Sequence, residues 1–367
     1  MQFTCDKKEI LKLTNTVTKA VAYKSLNTIL EHIYIEAGIG TVTMKCTDLV
    51  LSIQSEITAH IEETGNIAVT ARLFHEIINK FPEGEIKIKT EENNQLAIEC
   101  GHSKAHLSYA NPEEFPVFPE IEKTNGVCIK QNNFRKMINQ TVFSSAVAED
   151  KPILTGTLFE AEEKSLKLVA LDGYRLALRK EEIGEYEGSI KAVVPAKSLR
   201  ETSKILNDTD DDIHLYINEK TVLIESDETK IYTRLLEGDY VKYKNILPAE
   251  YKTRIKTNTT EFCMAIERAS ILSREENNNL IKVSIKDEKM LITANSEIGR
   301  AFEEVAVEAE GKEIDIAFNA KFLTDVLKNI EEDEVVLEFN TNISPCVIKP
   351  VEGDSFLYLV LPVQIRG

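Results

Sequence analysis

Cysteine pairs, long apolar runs and signal segments are all missing from this 367-residue sequence. Its six cysteines are widely scattered, with no CxxC pair and no Cys/His cluster at zinc-ligand spacing. We therefore expect separate reduced thiols, and neither a metal nor another cofactor. No stretch approaches the ~18 consecutive apolar residues of a membrane helix, and the opening MQFTCDKKEI lacks the apolar run of a signal peptide. These absences predict a cytoplasmic protein without membrane contact.

The common enzyme signatures are absent as well. The sequence has no GxxxxGK[ST] phosphate loop, no GxSxG nucleophile turn and no HExxH zinc motif, which disfavours a hydrolase or a transferase. His102 and His106 stand four residues apart, but in a segment that alternates like a strand, and a metal site needs more ligands than these two. The sequence therefore predicts no catalytic and no metal-binding residue.

The stretch ALDGYRLALR, residues 170–179, carries a strong turn signal. An Asp-Gly step lies between two runs of alternating apolar residues, and Arg175 follows two places after Gly173. One interpretation is a catalytic acid, Asp172, beside an electrophilic Arg175. The other is a tight hairpin, because Asp-Gly suits the positive φ angles of a type I′ turn. A lone Asp with no partner acid or base nearby in the sequence favours the hairpin.

One unit recurs three times along the chain. The copies are VTARLFHEIINKF (69–81), VPAKSLRETSKIL (194–206) and FNAKFLTDVLKNI (318–330). Each has a polar or Pro start, then Ala and a basic residue, then an amphipathic helix, and the copies are spaced by about 125 residues. Alternating strands follow each helix, so every copy predicts one helix-plus-strands unit.

A second helical segment precedes each copy, within residues 7–24, 130–148 and 258–274. The chain is therefore predicted to form three domains, at residues 1–122, 123–250 and 251–367. Single helices among runs of strands favour an α+β fold in which two helices per domain pack on antiparallel sheets. A solenoid is the competing repeat architecture, but its units are usually only ~20–50 residues long.

Charge is distributed unevenly along the chain. The net charge is −17, which by itself would repel nucleic acid. The six helical segments nevertheless sum to +11, which leaves −28 for everything else. In the helix of the second copy, Lys197, Arg200 and Lys204 share one face. Leu199 and Leu206 lie on the opposite side of that helix. We favour a phosphate-facing surface that meets DNA without reading its sequence, against the alternative of ordinary solvated helix faces.

The order of these segments resembles one known family. MQFTC, FPEGEIKIK, LFEAEEKSLKLVALDGYRLA, VVPAKSL, RASILS and YLVLPVQ together closely resemble the bacterial sliding clamp, the β subunit of DNA polymerase III, from Met1 to about Gln364. The resemblance implies three repeated DNA-clamp domains in a homodimer that closes head to tail into a ring around double-stranded DNA. It also implies a non-catalytic subunit that binds the replicative polymerase, the clamp loader and repair proteins through short peptides.

The resemblance assigns residues to three surfaces. A peptide-binding pocket between the second and third domains would be formed by Leu154, Leu171, Gly173, Tyr174, Arg175, Leu176, Val241, Asn245, Ile246, Asn319, Phe322, Ile343, Pro345, Leu359, Leu361, Pro362 and Val363. Sequence-independent DNA contacts would come from Lys24, Arg72, Lys136, Lys197, Arg200, Lys204, Lys321 and Lys328. The dimer interface would be formed by Ala105, Leu107, Ile271 and Leu272. In the pocket, apolar walls would accept leucine or aromatic anchors while Arg175 fixes the direction of the peptide.

Some pocket positions depart from the residues common in the family, and they bear on which peptides the pocket prefers. These departures are Leu171, Tyr174, Val241, Asn245 and Pro345. Two alternative functions remain open on the sequence alone. One is a peptide-binding scaffold with no DNA role, and the other is a diverged second copy of a clamp.

Overall fold

Short strands and six α-helices build the part of the chain that the structure describes. This computed structural model describes residues 1–147, 151–186, 188–226, 228–275 and 279–364, without the side chains of 274 and 275. The helices are α1 (Lys7–Val17), α2 (Ala71–Lys80), α3 (Gln131–Val142), α4 (Ala196–Ile205), α5 (Thr259–Glu275) and α6 (Ala320–Leu327). The strands of the first third are β1 (Gln2–Asp6), β2 (His32–Ala37), β3 (Thr41–Thr47), β4 (Leu51–Thr58), β5 (His60–Glu63), β6 (Gly65–Thr70), β7 (Glu85–Glu91), β8 (Gln95–Cys100) and β9 (Ser103–Ala110).

The remaining strands continue in chain order. Those before residue 250 are β10 (Val127–Lys130), β11 (Gly156–Glu162), β12 (Ser165–Leu171), β13 (Arg175–Glu182), β14 (Ser189–Pro195), β15 (Asp212–Ile217), β16 (Thr221–Glu225) and β17 (Thr229–Arg234). Those after it are β18 (Thr253–Asn258), β19 (Leu280–Lys286), β20 (Lys289–Ser296), β21 (Gly299–Ala306), β22 (Glu308–Gly311), β23 (Ile314–Asn319), β24 (Glu334–Phe339), β25 (Cys346–Pro350) and β26 (Phe356–Val360).

Capping and apolar spacing explain where the helices lie. Asp6 begins α1, since its carboxylate accepts a hydrogen bond from the Lys8 amide at 2.7 Å. Ile10 and Val17 belong to the buried stripe that follows. The helix ends at Val17, so Lys24, predicted within a helical segment, lies in a turn with a positive φ of 59°. All six predicted helices are present, but α3 ends at Val142, short of the predicted end at residue 148, which lies outside the described residues. None of the helices in the described ranges is long and apolar enough to span a membrane.

The chain forms two compact units, and the first comprises Met1–Asn132 and Glu201–Leu235. Its 13-stranded sheet has the order β10-β15-β16-β17-β4-β3-β2-β6-β9-β8-β7-β1-β5. β4 and β17 pair antiparallel, which joins distant parts of the chain in one sheet. β9 pairs with β8 at residues 103–108 and with β6 only at Tyr109 and Ala110. Within the described residues, the outer edge of β9 is therefore open from 103 to 108.

The second unit comprises Asn133–Arg200 and Leu236–Gly367. It contains a nine-stranded sheet of order β14-β11-β12-β13-β26-β25-β24-β18-β22 and a four-stranded sheet of order β21-β20-β19-β23. Its main core includes the fully buried rings of Phe262 and Tyr358 and the side chain of Leu323. The antiparallel sheets and the helices packed on them confirm the predicted α+β class.

Candidate functional site

The Asp172-Gly173 step forms a hairpin turn between β12 and β13. The Asp172 carboxylate accepts hydrogen bonds from the backbone amides of Tyr174 at 2.9 Å and Arg175 at 3.0 Å. The predicted hairpin is confirmed, but the predicted turn type is wrong. The φ angle is positive at Gly173 (95°) and not at Tyr174, whereas a type I′ turn needs a positive φ at both central residues. The carboxylate of Asp172 is occupied with shaping the turn.

Arg175 is held inside the second unit by charged and aromatic partners. Its Nε donates to Asp172 Oδ2 at 3.0 Å and its Nη1 to Asp325 Oδ2 at 2.6 Å. Its Nη2 donates to the carbonyl oxygen of Phe143 at 3.0 Å, and the guanidinium lies 4.8 Å from the ring centroid of Phe322. Only 10% of the side chain is exposed. These hydrogen bonds use three of the five N–H groups of the guanidinium, so the expectation that Arg175 directs a bound peptide stays a prediction.

An apolar cluster beside this turn contains several predicted pocket residues. Leu154, Leu171, Leu176 and Leu359 are each no more than 5% exposed, and the half-buried Leu361 packs against them. Leu176 lies opposite Leu359 in the register of β13 and β26. These leucines are core residues as well as candidate pocket residues. They can therefore form the buried base of a pocket but not its exposed edge.

Other predicted pocket residues expose apolar surface. Their exposed fractions are 62% for Tyr174, 41% for Val241, 44% for Ile246, 63% for Ile343 and 40% for Val363. Tyr174 stacks on Phe322, with ring centroids 5.9 Å apart. Ile343 and Val363 line one cavity of about 390 Å³, a volume within the range of ligand pockets. These side chains leave apolar surface accessible in the second unit.

The remaining predicted pocket residues have other surroundings. Asn319 caps α6, since its side-chain oxygen accepts a hydrogen bond from the amide two residues later at 3.0 Å. Asn245 is exposed in the 3₁₀ turn Tyr243–Ile246, and Pro362 is half-buried after β26. Pro345 lines a separate cavity of about 110 Å³. The structure therefore groups the leucines in one cluster, stacks Tyr174 on Phe322 and places Ile343 with Val363 on one cavity, but it leaves Pro345 on another cavity.

Four lysines of the first unit line one polar cleft. Lys8, Lys12 and Lys19 meet Lys204 of α4 around a cavity of about 730 Å³. Only Lys204 is among the predicted DNA contacts, although the four-residue spacing of Lys8 and Lys12 already indicates one helix face. The cleft also holds carboxylates, and Glu228 Oε2 lies 3.5 Å from Lys12 Nζ. The cleft is thus lined by both positive and negative side chains.

The predicted DNA contacts outside this cleft differ in exposure and in pairing. Exposed ones are Lys24, Arg72, Lys197, Lys321 and Lys328, and Lys136 is half-buried. Arg72 Nη1 lies 3.5 Å from the Glu76 carboxylate and Lys321 Nζ 3.3 Å from Asp325. Lys136 Nζ lies 2.8 Å from the Glu331 carboxylate, and Lys328 Nζ lies 2.6 Å from that of Glu267. The hydrogen bond to Glu267 raises the pKa of Lys328. Pairs this exposed are weak, so they leave the cations able to exchange partners.

Helix α4 follows its predicted amphipathic pattern with one exception. Lys197 and Lys204 are exposed and Leu199 is buried, as predicted. Arg200 is half-buried, and its Nη2 donates to the carbonyl oxygen of Val142 at 3.1 Å. Burial lowers the pKa of this guanidinium. Arg200 is therefore partly buried and engaged with α3, whereas Lys204 is exposed and its Nζ lies 2.8 Å from the carboxylate of Glu201 on the same helix.

The predicted interface residues lie on β9 and near the end of α5. Ala105 and Leu107 are half-buried on the part of β9 whose outer edge is open in the described chain. Ile271 is 59% exposed. Leu272 lies beside Gly299, where its Cδ1 would be 3.5 Å from an added Cβ, at the start of the outer strand β21. Among the described residues, these two strand edges, one in each unit, therefore have apolar residues close to them.

Helices and antiparallel sheets that recur along the chain, with exposed apolar side chains beside a leucine cluster, define an α+β protein built from one recurring unit. Sequence profiles of the DNA polymerase III beta subunit match the N-terminal domain to residues 1–119, the central domain to 128–242 and the C-terminal domain to 244–364. The chain therefore belongs to the DNA polymerase III beta subunit family, the bacterial sliding clamps. That family is a non-catalytic subunit, which excludes the hydrolase or transferase alternative and the catalytic interpretation of Asp172.

Individual relatives resemble the chain over its whole length. The beta sliding clamp of Staphylococcus epidermidis is 33% identical, and the match covers 99% of each chain. Among solved structures, the DNA polymerase sliding clamp from Bacillus subtilis has a TM-score of 0.97 at 34% identity, with both chains covered completely. The beta subunit from the DNA polymerase of Streptococcus pyogenes has a TM-score of 0.95 at 28% identity, again with complete coverage of both.

Proposed function

We propose that this chain is a DNA sliding clamp that encircles duplex DNA without reading its sequence and tethers the replicative polymerase. The observation that carries this proposal is the consecutive match of three clamp domains across residues 1–364. The matched segments support domains at 1–122, 123–250 and 251–367, the last three residues of which lie outside the described part of the chain. The cytoplasm, where replication takes place in bacteria, is the proposed compartment.

Lysines on the helices are the proposed contacts to the DNA backbone. Lys197 and Lys204 support this role because both are exposed on α4. Lys8, Lys12 and Lys19 extend the set, since they share a cleft with Lys204. Attraction between lysines and phosphates depends on salt and not on base sequence, as a sliding protein requires. Arg200 is proposed as a weaker contributor because it is half-buried.

The pocket of the second unit is the proposed docking site for short peptides of the polymerase, the clamp loader and repair proteins. Exposed apolar side chains such as Tyr174 and Ile343 support it, together with the leucine cluster beside them. Anchors of leucine or aromatic type would bury apolar surface there. Arg175 has a positioning role in this proposal: it fixes the Asp172 turn to α6 through Asp325.

A head-to-tail homodimer is the proposed form of the ring. The open edge of β9 in one unit and the outer strand β21 in the other support it, because unpaired strand edges readily pair with another chain. Exposed apolar residues occur in β21 and just before it, with Phe302 64% and Ile298 72% exposed. A head-to-tail ring needs two different edges on every copy, because each contact joins one edge of a copy to the other edge of the next copy.

Retention on a circular plasmid tests encirclement. The protein, loaded onto nicked circular DNA by a bacterial clamp loader and ATP, should co-elute with the circle on gel filtration at high salt. One restriction cut should release it, because a ring slides off a free end. Protein that remains on the linear DNA as firmly as on the circle would contradict encirclement and indicate binding along the outside of the duplex.

Charge variants test the proposed DNA contacts. Replacing Lys12, Lys197 and Lys204 by alanine should shorten retention on the circle and reduce the salt dependence by roughly one unit of log–log slope per lost phosphate contact. Lys289→Ala is the matched control, since Lys289 is an exposed lysine of β20, paired with Glu304. Equal retention by the triple variant and the control would argue for a scaffold without a DNA role.

A further inference from the structure

A second apolar cavity lies in the first unit, away from the lysine cleft. Its volume is about 230 Å³. The wall residues that matter here are Leu49, Val50, Val117, Phe118, Thr233 and Arg234. They come from the turn before β4, from the Pro-flanked segment 116–119 and from the end of β17. None of these residues has a part in the proposed DNA, peptide or dimer surfaces.

The turn that lines this cavity repeats the turn of the proposed peptide pocket. Asp48 Oδ1 accepts hydrogen bonds from the amides of Val50 at 3.0 Å and Leu51 at 2.7 Å. Asp172 does the same for the second and third residues that follow it. The next residue has a positive φ in both turns, 72° at Leu49 and 95° at Gly173. Each unit therefore contains the same kind of turn, in which an Asp carboxylate accepts two backbone amides and the next residue has a positive φ.

Each turn also accepts one backbone hydrogen bond from a later segment of the chain, at the same position of the turn. The Arg234 amide donates to the carbonyl oxygen of Val50 at 2.9 Å, and the Leu361 amide donates to that of Tyr174 at 2.8 Å. In the second unit this hydrogen bond lies beside the leucine cluster, whereas in the first it lies beside the 230 Å³ cavity. The two turns therefore share the same backbone hydrogen bond, but the side chains around them differ.

Leu49 is an unusual residue for its place in the turn. A leucine rarely adopts a left-handed backbone conformation, because its Cβ crowds the neighbouring carbonyl. The side chain is nevertheless held there with 50% of it exposed at the cavity. Val117 is 96% exposed on another wall. Apolar side chains kept in water at a concave surface indicate that something covers them.

Two polar groups of the cavity indicate what the occupant carries. Thr233 is 1% exposed, and its hydroxyl finds no hydrogen-bond partner among the described residues. Buried hydroxyls are rarely left unpaired, so this one points to a missing partner. Arg234 is exposed, and no carboxylate of the described chain lies within ion-pair distance of its guanidinium. The cavity therefore presents a hydroxyl that can donate to an acceptor and a guanidinium that can pair with an anion.

We propose that this cavity is a second docking site, for a short extended peptide of a partner protein with one or two apolar anchors next to a carboxylate. The cavity is smaller than the ~300–1,000 Å³ of typical small-molecule sites, which favours one or two side chains over a free ligand. The anchors would cover Leu49 and Val117, and the carboxylate would pair with Arg234. A backbone carbonyl of the peptide would accept from Thr233. The site stands on residues of the first unit and goes beyond the proposed function.

Methyl NMR of the full-length protein tests this site directly, because Leu49, Val50 and Val117 carry methyl groups on its walls. The probe is an equimolar mixture of four capped hexapeptides, with Leu-Phe or Phe-Leu at the centre and Asp on either side. A site with a dissociation constant of ~1 mM is half filled at ~1 mM peptide, so the three methyl signals should shift at that concentration. Ile343 and Val363 report the other pocket separately, so failure of one site is distinguishable from failure of the other.

Matched variants assign the contacts. Arg234→Glu should weaken the response of the three methyls at least tenfold, and Arg234→Lys should restore most of it. Arg72→Glu is the control, because Arg72 is an exposed arginine of the same unit. Leu49→Gly should keep the turn, since glycine accepts a positive φ, yet lose binding at least tenfold.

Several outcomes would overturn the proposal. The three methyls could fail to move with any peptide, or they could respond equally in the Arg234→Glu and Arg72→Glu variants. They could also move with oligothymidylate and not with the peptides, which would make the site a nucleic-acid contact. The methyl spectrum of each variant shows whether it remains folded, so an unfolded variant is recognised before binding is measured.

Discussion

Arg175 connects three parts of the second unit through one guanidinium. It contacts the hairpin turn at Asp172, helix α6 at Asp325 and the carbonyl oxygen of Phe143 just after α3. Side chains of the two carboxylates are only 16% and 27% exposed. Charged groups left unpaired in such surroundings incur a desolvation cost that exposed ones avoid. The position of the turn therefore depends on a cation that a peptide does not need to touch.

Arg175→Met should lower the free energy of unfolding of the second unit by about 2–3 kcal/mol, because both carboxylates lose a charged donor. Urea unfolding followed by circular dichroism measures the change. Lys180→Met is the matched control, since its partner Asp354 is 79% exposed and such pairs contribute only about 0–1 kcal/mol. Equal unfolding midpoints for the two variants would show that Arg175 has no structural role.

Tyr174 and Ile343 provide a test of the peptide pocket that leaves the core intact. Leu176 is 1% exposed and a charge there would test folding, whereas Tyr174 and Ile343 are 62% and 63% exposed. Tyr174→Ala with Ile343→Asp should weaken binding of a labelled replicative-polymerase peptide by at least tenfold, or about 1.4 kcal/mol. Fluorescence anisotropy gives the affinity. Leu26→Asp, at a fully exposed leucine of the first unit, is the control, and unchanged affinity in the double variant would reject the pocket.

At the scale of elements, two glycines with similar backbone angles meet different surroundings. Gly173 has a φ of 95° and open space where a Cβ would stand. Gly311, at the end of β22, has a φ of 100°, and a Cβ there would stand 2.0 Å from the carbonyl oxygen of Lys252. Both positions disfavour a side chain through their conformation, but only Gly311 also lacks room for one.

Gly173→Ala should therefore cost about 1–2 kcal/mol of unfolding free energy, the conformational cost of a left-handed L-residue. Gly311→Ala should cost a further ~1–3 kcal/mol, because the β18–β22 pair must shift to relieve the clash. Urea unfolding of the two variants side by side measures the difference. A loss for Gly173→Ala as large as that for Gly311→Ala would mean that the backbone angle alone decides both positions.

The helices could be predicted from the sequence because their signals are local. Apolar spacing and the threefold repeat placed all six, and the Asp-Gly step placed the hairpin. The end of α1 was harder, since nothing between Val17 and Lys24 is a Pro or Gly that would stop a helix. Contacts between distant segments were out of reach: the partner of Arg175, Asp325, is 150 residues away, and no periodicity connects the two.

The lysine cleft shows the same limit for the candidate DNA contacts. Charge counting identified the helices as basic, but it could not tell that Lys8, Lys12 and Lys19 face Lys204 across 185 to 196 residues of chain. Arg200 carries the same charge as its neighbouring lysines, but its Nη2 donates to the carbonyl oxygen of Val142 where α3 ends. Residue type predicts charge, while exposure depends on the neighbours that tertiary packing supplies.

For the whole molecule, a strongly acidic chain can hold DNA only if its cations are gathered where the duplex passes. The net charge is −17, so long-range attraction to DNA is opposed at low salt. Topological enclosure removes the need for tight binding, because a closed ring stays on the duplex even when each contact is weak. Ring closure is therefore the property on which the proposed function depends most.

Closure through the open strand edges predicts how the dimer can be broken. Ile271→Glu places a charge at an exposed apolar residue near β21, so it should shift the chain to monomer at concentrations where the unchanged protein is a dimer. Ile39→Glu is the matched control, because Ile39 is 98% exposed in the turn between β2 and β3 of the first unit. Sedimentation velocity across a micromolar dilution series measures both. A single monomer boundary for the unchanged protein would contradict the ring, and dimers that persist equally in both variants would place the interface elsewhere.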